Sequence, residues 1–146
     1  MTSRPGGSLY TPSLLALAVE LAEYPYDPEA PLTGYARSRT CGSEVWISCG
    51  VDDDGALRNL GLKVAACAVG QASATLFAKF APGEDSVEIG SMLHGIGSWL
   101  DGEAPSSILP RLELLEGALP HKGRHEAILL PWRAAIDALS KAGRGG

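Results

Sequence analysis

The spacing of apolar positions changes twice along the chain and divides it into three stretches. Between Thr11 and Tyr24, Leu14, Leu17, Ala18 and Leu21 form one stripe, with Leu15 and Ala22 widening it. That is the period of an amphipathic helix. Thr11 suits its cap and Pro12 its first position, and Pro25 and Pro28 stop it. From Leu32 to Val64 the period falls to two. Thr33 to Arg39 reads as a short strand. Val45, Ile47, Cys49 and Val51 share one face of a strand from Glu44 to Val51, and Leu60, Leu62 and Val64 share one face of a strand that begins near Ala56. Asp52-Asp53-Asp54-Gly55 between them is a hairpin turn. After Cys67 the helical period returns. It predicts helices over Ala68 to Phe80, from a capping box at Asp85–Glu88 to Leu100, over Ile108 to Leu119, and over Ala127 to Ala142.

A helix, then strands, then helices predicts an α+β fold: a three-stranded antiparallel sheet with helices packed on one face. A chain of 146 residues accommodates one domain, placed here at residues 9–142, with frayed termini at 1–8 and 143–146. Apolar residues at 45% against 20% charged support a globular domain. The net charge of −5 argues against a nucleic-acid partner, because no excess of cations exists to neutralise phosphates. No apolar run approaches the roughly 20 residues of a membrane span, and Met1 to Gly7 lacks the apolar stretch of a secretory signal. Three cysteines are too few for a disulfide-stapled secreted domain. The expectation is a cytoplasmic protein with reduced thiols and no membrane contact.

The hairpin locates the cysteines. A turn centred on Asp53-Asp54 pairs residues whose numbers sum to about 107–109. Cys41 then falls opposite Ala66, Cys67 or Ala68 if pairing runs to the end of the sheet. Cys49 lies on the order of 26 Å along the strand from Cys41 and reads as a small core residue. Cys67 ends a strand and opens a helix, where unpaired N–H groups favour a thiolate. Gly42 lets a bound group approach the backbone. Soft metal ligands, a cross-strand disulfide and two ordinary core residues all remain compatible with this placement. Asp52-Asp53-Asp54 lacks the later carboxylate of a calcium loop and reads as a solvated turn. His94 reads as packed in its helix, His121 as solvated, and Trp46, Trp99 and Trp132 as packing residues.

The stretch Arg37-Ser38-Arg39-Thr40-Cys41-Gly42-Ser43-Glu44, then Asp54-Gly55, then Ala66-Cys67-Ala68-Val69-Gly70-Gln71-Ala72-Ser73-Ala74 resembles the iron–sulfur cluster scaffold family, the IscU, SufU and NifU N-terminal domain group. The resemblance runs from about Leu9 to Ala142, and the long span before the last helix looks more like the SufU side. It implies the SufE/NifU-like fold and a non-enzymatic scaffold. Such a scaffold takes sulfur from a cysteine desulfurase, holds iron or a nascent [2Fe–2S] cluster, and passes it to recipient apoproteins. Cys41 and Cys67 would be metal ligands, with Gly42 and Ser43 shaping the site. Ser43 replaces the aspartate of the family's Cys-Gly-Asp motif, and Ala127 falls where the third cysteine belongs. Glu126 falls where the IscU branch has a histidine, with His125 one residue earlier. His125, Glu126, an external thiol or water would then complete the site, on a loop or loose turn at Arg124 to Ala127 ahead of Pro131. A degenerate member that relays sulfur as a persulfide or binds zinc is the alternative. An unrelated enzyme pairing Cys67 with His125 as base is a third.

Overall fold

The computed structural model describes residues 10–142. The expected frayed termini, and residue 9 at the domain's start, lie outside that range.

Helix α1 (Pro12–Val19) begins at Thr11, whose hydroxyl accepts the Leu14 N–H at 3.1 Å. It tightens into a 3₁₀ turn over Glu20–Glu23 and ends before Pro25. Leu14, Leu17 and Ala18 are buried, but Leu15 and Ala22 face solvent. So short a helix, leaning mainly on one neighbour, buries a narrow line and not the wider stripe its sequence offers.

Strands β1 (Leu32–Arg37), β2 (Glu44–Val51) and β3 (Leu57–Ala65) form an antiparallel sheet in that order. At the β2–β3 turn Asp52 Oδ1 accepts the N–H groups of Asp54 and Ala56, both at 2.9 Å, and Gly55 takes φ +80°, which a glycine adopts without strain. Val51 pairs with Leu57 and Gly50 with Arg58. A bulge, with Asn59 at φ +53°, then shifts the register so that Ser48 pairs with Gly61 and Glu44 with Ala65. The ladder stops there. Cys41 therefore has no strand partner, contrary to a pairing carried to the sheet end.

Gly34, Ile47 and Leu62 lie side by side on the face toward the helices. Tyr35, Trp46 and Lys63 line the opposite face; the two rings are 5.4 Å apart and the Lys63 ammonium stands 4.9 Å over the Trp46 ring. The helices thus cover one face, as the α+β pattern predicts.

Helix α2 (Ala68–Phe80) and helix α3 (Ser86–Leu100) match the sequence reading, and Asp85 closes its capping box on Glu88 at 2.9 Å. The helix expected over Ile108 to Leu119 is instead two 3₁₀ turns, Ser106–Ile108 and Leu112–Ala118. Pro110 is the reason: it forces the preceding Leu109 into an extended conformation at φ −145°, ψ 130°. His94 is exposed on α3, not packed, while His121 is solvated as expected.

Helix α4 (His125–Ser140) begins earlier than Pro131 suggests, so Arg124 to Ala127 is not a free loop. A 3₁₀ turn over Lys122–Arg124 runs straight into the helix. An interior proline costs a helix about 3 kcal/mol. Packing overrides that cost: Ile128, Leu130, Trp132, Ala134 and Ala135 are all fully buried, and Phe77 of α2 meets the Trp132 ring edge-on at 5.4 Å. Buried Ser73 of α2 also donates to the Ile128 carbonyl at 2.6 Å.

Candidate functional site

Three chain segments meet where β2 begins and β3 ends. The loop from Ser38 to Ser43 closes on itself through the Ser38 N–H, which donates to the Ser43 carbonyl at 2.8 Å. Gly42 takes φ +72° at its tip, a conformation that a side chain would strain. Cys67 caps α2 in an extended conformation, and its carbonyl accepts the first helical bond from Gln71 at 3.0 Å. The 3₁₀ turn before α4 supplies Gly123 and Arg124. Together they enclose an open pocket of about 440 Å³ lined by Thr40, Cys41, Gly42, Ser43, Ala65, Ala66, Cys67, Gly123 and Arg124.

The two sulfurs have different surroundings. Cys41 is exposed, and its Sγ lies 3.3 Å from Ser38 Oγ and 3.1 Å from Ser43 Oγ. Partial burial pushes its thiol up, but the hydrogen bonds with Ser38 and Ser43 outweigh this and hold it below its ordinary value. Cys67 is half-buried at the helix N-terminus beside Arg124. The guanidinium pays some desolvation, yet the Cys67 sulfur and Tyr10 beside it push its pKa above the ordinary value. Cys49 is sealed in the core, where burial pushes its thiol up to about 11.

This contrast is directly measurable. At pH 7 iodoacetamide should carbamidomethylate Cys41 at least about tenfold faster than Cys49, because only thiolate attacks and only Cys41 is accessible. Peptide mass spectrometry over a time course reads both rates, and equal rates would contradict the assigned environments.

Of the residues singled out from sequence, Cys41, Gly42, Ser43 and Cys67 share the pocket. His125 and Glu126 do not line it. The His125 ring turns away, with Nε2 2.9 Å from the Leu119 carbonyl oxygen. Glu126 reaches the back of the cysteine loop: Oε1 accepts from Ser38 Oγ at 2.9 Å, the Arg39 N–H at 2.8 Å and the Thr40 N–H at 3.3 Å. The Ser38 hydrogen bond foremost, then those N–H groups and Arg133, holds the carboxyl below its ordinary value against a smaller opposing effect of burial. Ala127 is buried and packs toward Gly70 of α2, away from the opening. Among the described residues no three His, Cys, Asp or Glu side chains cluster closely enough to hold a metal ion.

Two residues of the site were named in the sequence only as part of longer stretches, with no role of their own. Ser38 is fully buried behind Cys41, and strand alternation through Gly34 and Ala36 already places it on the inward face. Arg124 ends the 3₁₀ turn directly before α4, and no local pattern marks it as a site residue.

Neither a protein-family model nor a curated protein sequence matches this chain. Solved structures do match it. One is a nitrogen-fixing NifU-like protein, N-terminal part, from Brucella abortus, with a TM-score of 0.83 and 23% identity over 98% of this chain and 100% of that one. Another is from the thermophile Fervidobacterium islandicum AW-1 and is described as a candidate iron–sulfur cluster assembly scaffold for the SUF system. Its TM-score is 0.78, at 19% identity over 90% of this chain and 96% of that one. At such identities the likeness establishes a shared fold, including the three-stranded sheet with its covering helices.

Proposed function

We propose that this protein is an iron–sulfur cluster assembly scaffold, a platform and not an enzyme, whose cargo is iron or a nascent [2Fe–2S] cluster held by Cys41 and Cys67. The observation that carries this reading is that two cysteines distant in sequence line one open pocket, while the third cysteine is buried elsewhere. The fold shared with the Fervidobacterium protein supports it. Thiolates suit iron by softness, and an open edge suits a site that must release its cargo by ligand exchange. A cysteine desulfurase would be the sulfur donor and apoproteins the recipients. In the sulfur step a thiolate attacks the outer sulfur of the donor's persulfide; a new S–S bond forms and the donor leaves as a thiolate. Among the described residues no helix is long and apolar enough to cross a membrane, which accords with the cytoplasmic setting proposed here.

The donor set is incomplete. Two sulfurs supply half of the four positions of a tetrahedral centre. Recruiting His125 would break its contact with the Leu119 carbonyl, and recruiting Glu126 would undo the bonds that hold the cysteine loop. This shortage favours a second reading, a sulfur relay that carries a persulfide without a stable cluster or binds zinc instead.

Anaerobic reconstitution with iron and sulfide separates the two. The scaffold reading expects iron and sulfide to remain bound after desalting, with a sulfur-to-iron charge-transfer band. Cys41→Ala and Cys67→Ala should lose both, while Cys49→Ala keeps them. Equal iron in Cys67→Ala and wild type would overturn the assignment. A persulfide on Cys41 or Cys67 without bound iron, found by mass spectrometry after incubation with a desulfurase, would establish the relay instead.

A further inference from the structure

Cations without an anionic partner gather beside the cysteines. Among the described residues Arg58, Lys79, Arg111, Arg133 and Lys141 each pair with a carboxylate, whereas Arg37, Arg39, Lys63 and Lys122 pair with none and are exposed. Arg37 ends β1 opposite Glu44, the first residue of β2, which pairs in turn with Ala65 in the pocket wall. Arg39 lies in the cysteine loop and Lys122 in the 3₁₀ turn before α4. The Thr40 hydroxyl ties those two segments together by donating to the Gly123 carbonyl at 3.1 Å. Lys63 stands on the outer face of the sheet over the Trp46 ring, a contact that neutralises no charge. The chain as a whole carries −5, so this corner runs against its balance. The outer face is also only half covered. The segment from Pro25 to Pro31 crosses the half away from the cysteines: the Asp27 N–H donates to Ser48 Oγ at 2.9 Å, and the Pro25 carbonyl leaves no room for a Cβ at Gly61. The half nearest the cysteines, with Tyr35, Trp46 and Lys63, is left open, and Tyr35 is 41% exposed.

The geometry points to a docking surface on this open half-face for an acidic segment of a partner protein, which it holds beside the cysteine pocket. The arginine forks and the lysine ammonium groups take up the partner's carboxylates. The Tyr35–Trp46 pair, with ring centroids 5.4 Å apart, supports its apolar side chains. Glu44 selects against nucleic acid. Its carboxylate, which accepts a hydrogen bond from the Tyr35 hydroxyl, sits among the cations and repels a continuous phosphate backbone, whereas the carboxylates of a protein segment can be spaced around it. Opposite charge also speeds the encounter and fixes its orientation. That the docked protein exchanges cargo at Cys41 and Cys67 rests on the scaffold reading above; the docking itself does not.

The test titrates the full chain and follows tryptophan fluorescence, which reports Trp46 because Trp99 and Trp132 are buried. The salt is set at about 0.15 M, where exposed charges more than about 8 Å apart are largely screened. The probes are a short peptide alternating glutamate and leucine, the same peptide with glutamine for every glutamate, and a single-stranded thymidine oligonucleotide of matching charge. The wild type should bind the glutamate peptide at least about tenfold more tightly than the glutamine peptide, and less tightly as salt rises. Arg37→Glu combined with Lys63→Glu should weaken that binding about 10- to 100-fold, while Arg111→Glu combined with Lys141→Glu, an equal change of net charge placed elsewhere, should leave it within about twofold. Circular dichroism checks that the variants fold, and the comparison of the two peptides on the wild type stands without any variant. No saturable binding of the glutamate peptide, equal binding of the two peptides, or equal loss in the two double variants overturns the proposal. Tighter binding of the oligonucleotide overturns it too, and so does a wild type that self-associates in sedimentation while Arg37→Glu with Lys63→Glu stays monomeric. None of the probes carries sulfur or metal, so failure here leaves the scaffold reading standing, and failed iron reconstitution leaves this surface standing.

Discussion

Replacing Gly34 by alanine is expected to destabilise the protein by about 3 kcal/mol or more, at the upper end for overpacking. A Cβ at that position would lie 2.2 Å from the Ala134 carbonyl oxygen and 2.7 Å from the Ala138 nitrogen. Both atoms belong to the backbone of α4, so no side chain can turn aside to make room. Either β1 or α4 must move, and α4 is fixed in turn by fully buried Trp132 and Leu130. The consequence reaches the pocket, since Arg124 precedes α4 and Glu126 lies in its first turn. Urea unfolding should show a lower midpoint with an unchanged slope. Gly42→Ala is the contrast: its Cβ would meet nothing within 4 Å, and only the φ of +72° opposes it, at a cost of about 1 kcal/mol. Equal losses for the two variants would show that the strand and helix are not in such close contact.

Glu126→Ala should have the second large effect, on stability and on metal together. Its carboxylate holds the buried Ser38 hydroxyl and two backbone N–H groups of the loop, and Ser38 Oγ in turn accepts the Cys41 N–H at 3.2 Å. Removing the acceptor leaves those donors unpaired and frees the loop. The expected cost is about 2 kcal/mol of stability, from charged hydrogen bonds at a partly exposed site. Affinity for a metal on Cys41 and Cys67 should fall about 10- to 100-fold, as when groups that orient ligands are lost. Glu126→Gln keeps an acceptor oxygen and should lose much less of both. A metal-ligating Glu126 predicts the reverse, with the Gln variant losing the metal as fully as the Ala variant.

The Glu126 charge also sets a pH dependence. Because folding holds this carboxyl below its ordinary value, its contribution is fully present above about pH 4.3, the unfolded glutamate value, and fades as pH falls through the lower folded value. The stability gap between wild type and Glu126→Gln should therefore be largest near neutrality and shrink in acid. Urea titrations at pH 7 and in the acid range measure it, and a gap that widened in acid would contradict the sign.

Some of the fold could be read position by position. Strand β2 from Glu44 to Val51 and helix α2 from Ala68 to Phe80 fall where the periodicity puts them, as does the Asp52–Gly55 turn. Each depends on neighbours within one strand or one helical turn, and such neighbours are visible in the chain itself. Where reading failed, a local rule met a stronger one. Pro110 broke the helix expected across it, and core packing carried α4 through Pro131 despite the missing N–H.

The site divides along the same line. Sequence alone determined that Cys41 and Cys67 flank a hairpin, that Cys67 opens a helix and that Cys49 points into the core, because strand alternation and helix capping are short-range. Tertiary structure decided what stands around those sulfurs. The packing of α4 on β1 brings Arg124 to Cys67, sends Glu126 behind the Cys41 loop and turns His125 away toward Leu119. Which face of α4 meets the sheet is a property of the whole core, set by Gly34 leaving room for the helix and Trp132 filling the space beneath it. No local pattern around residues 124 to 127 contains that information.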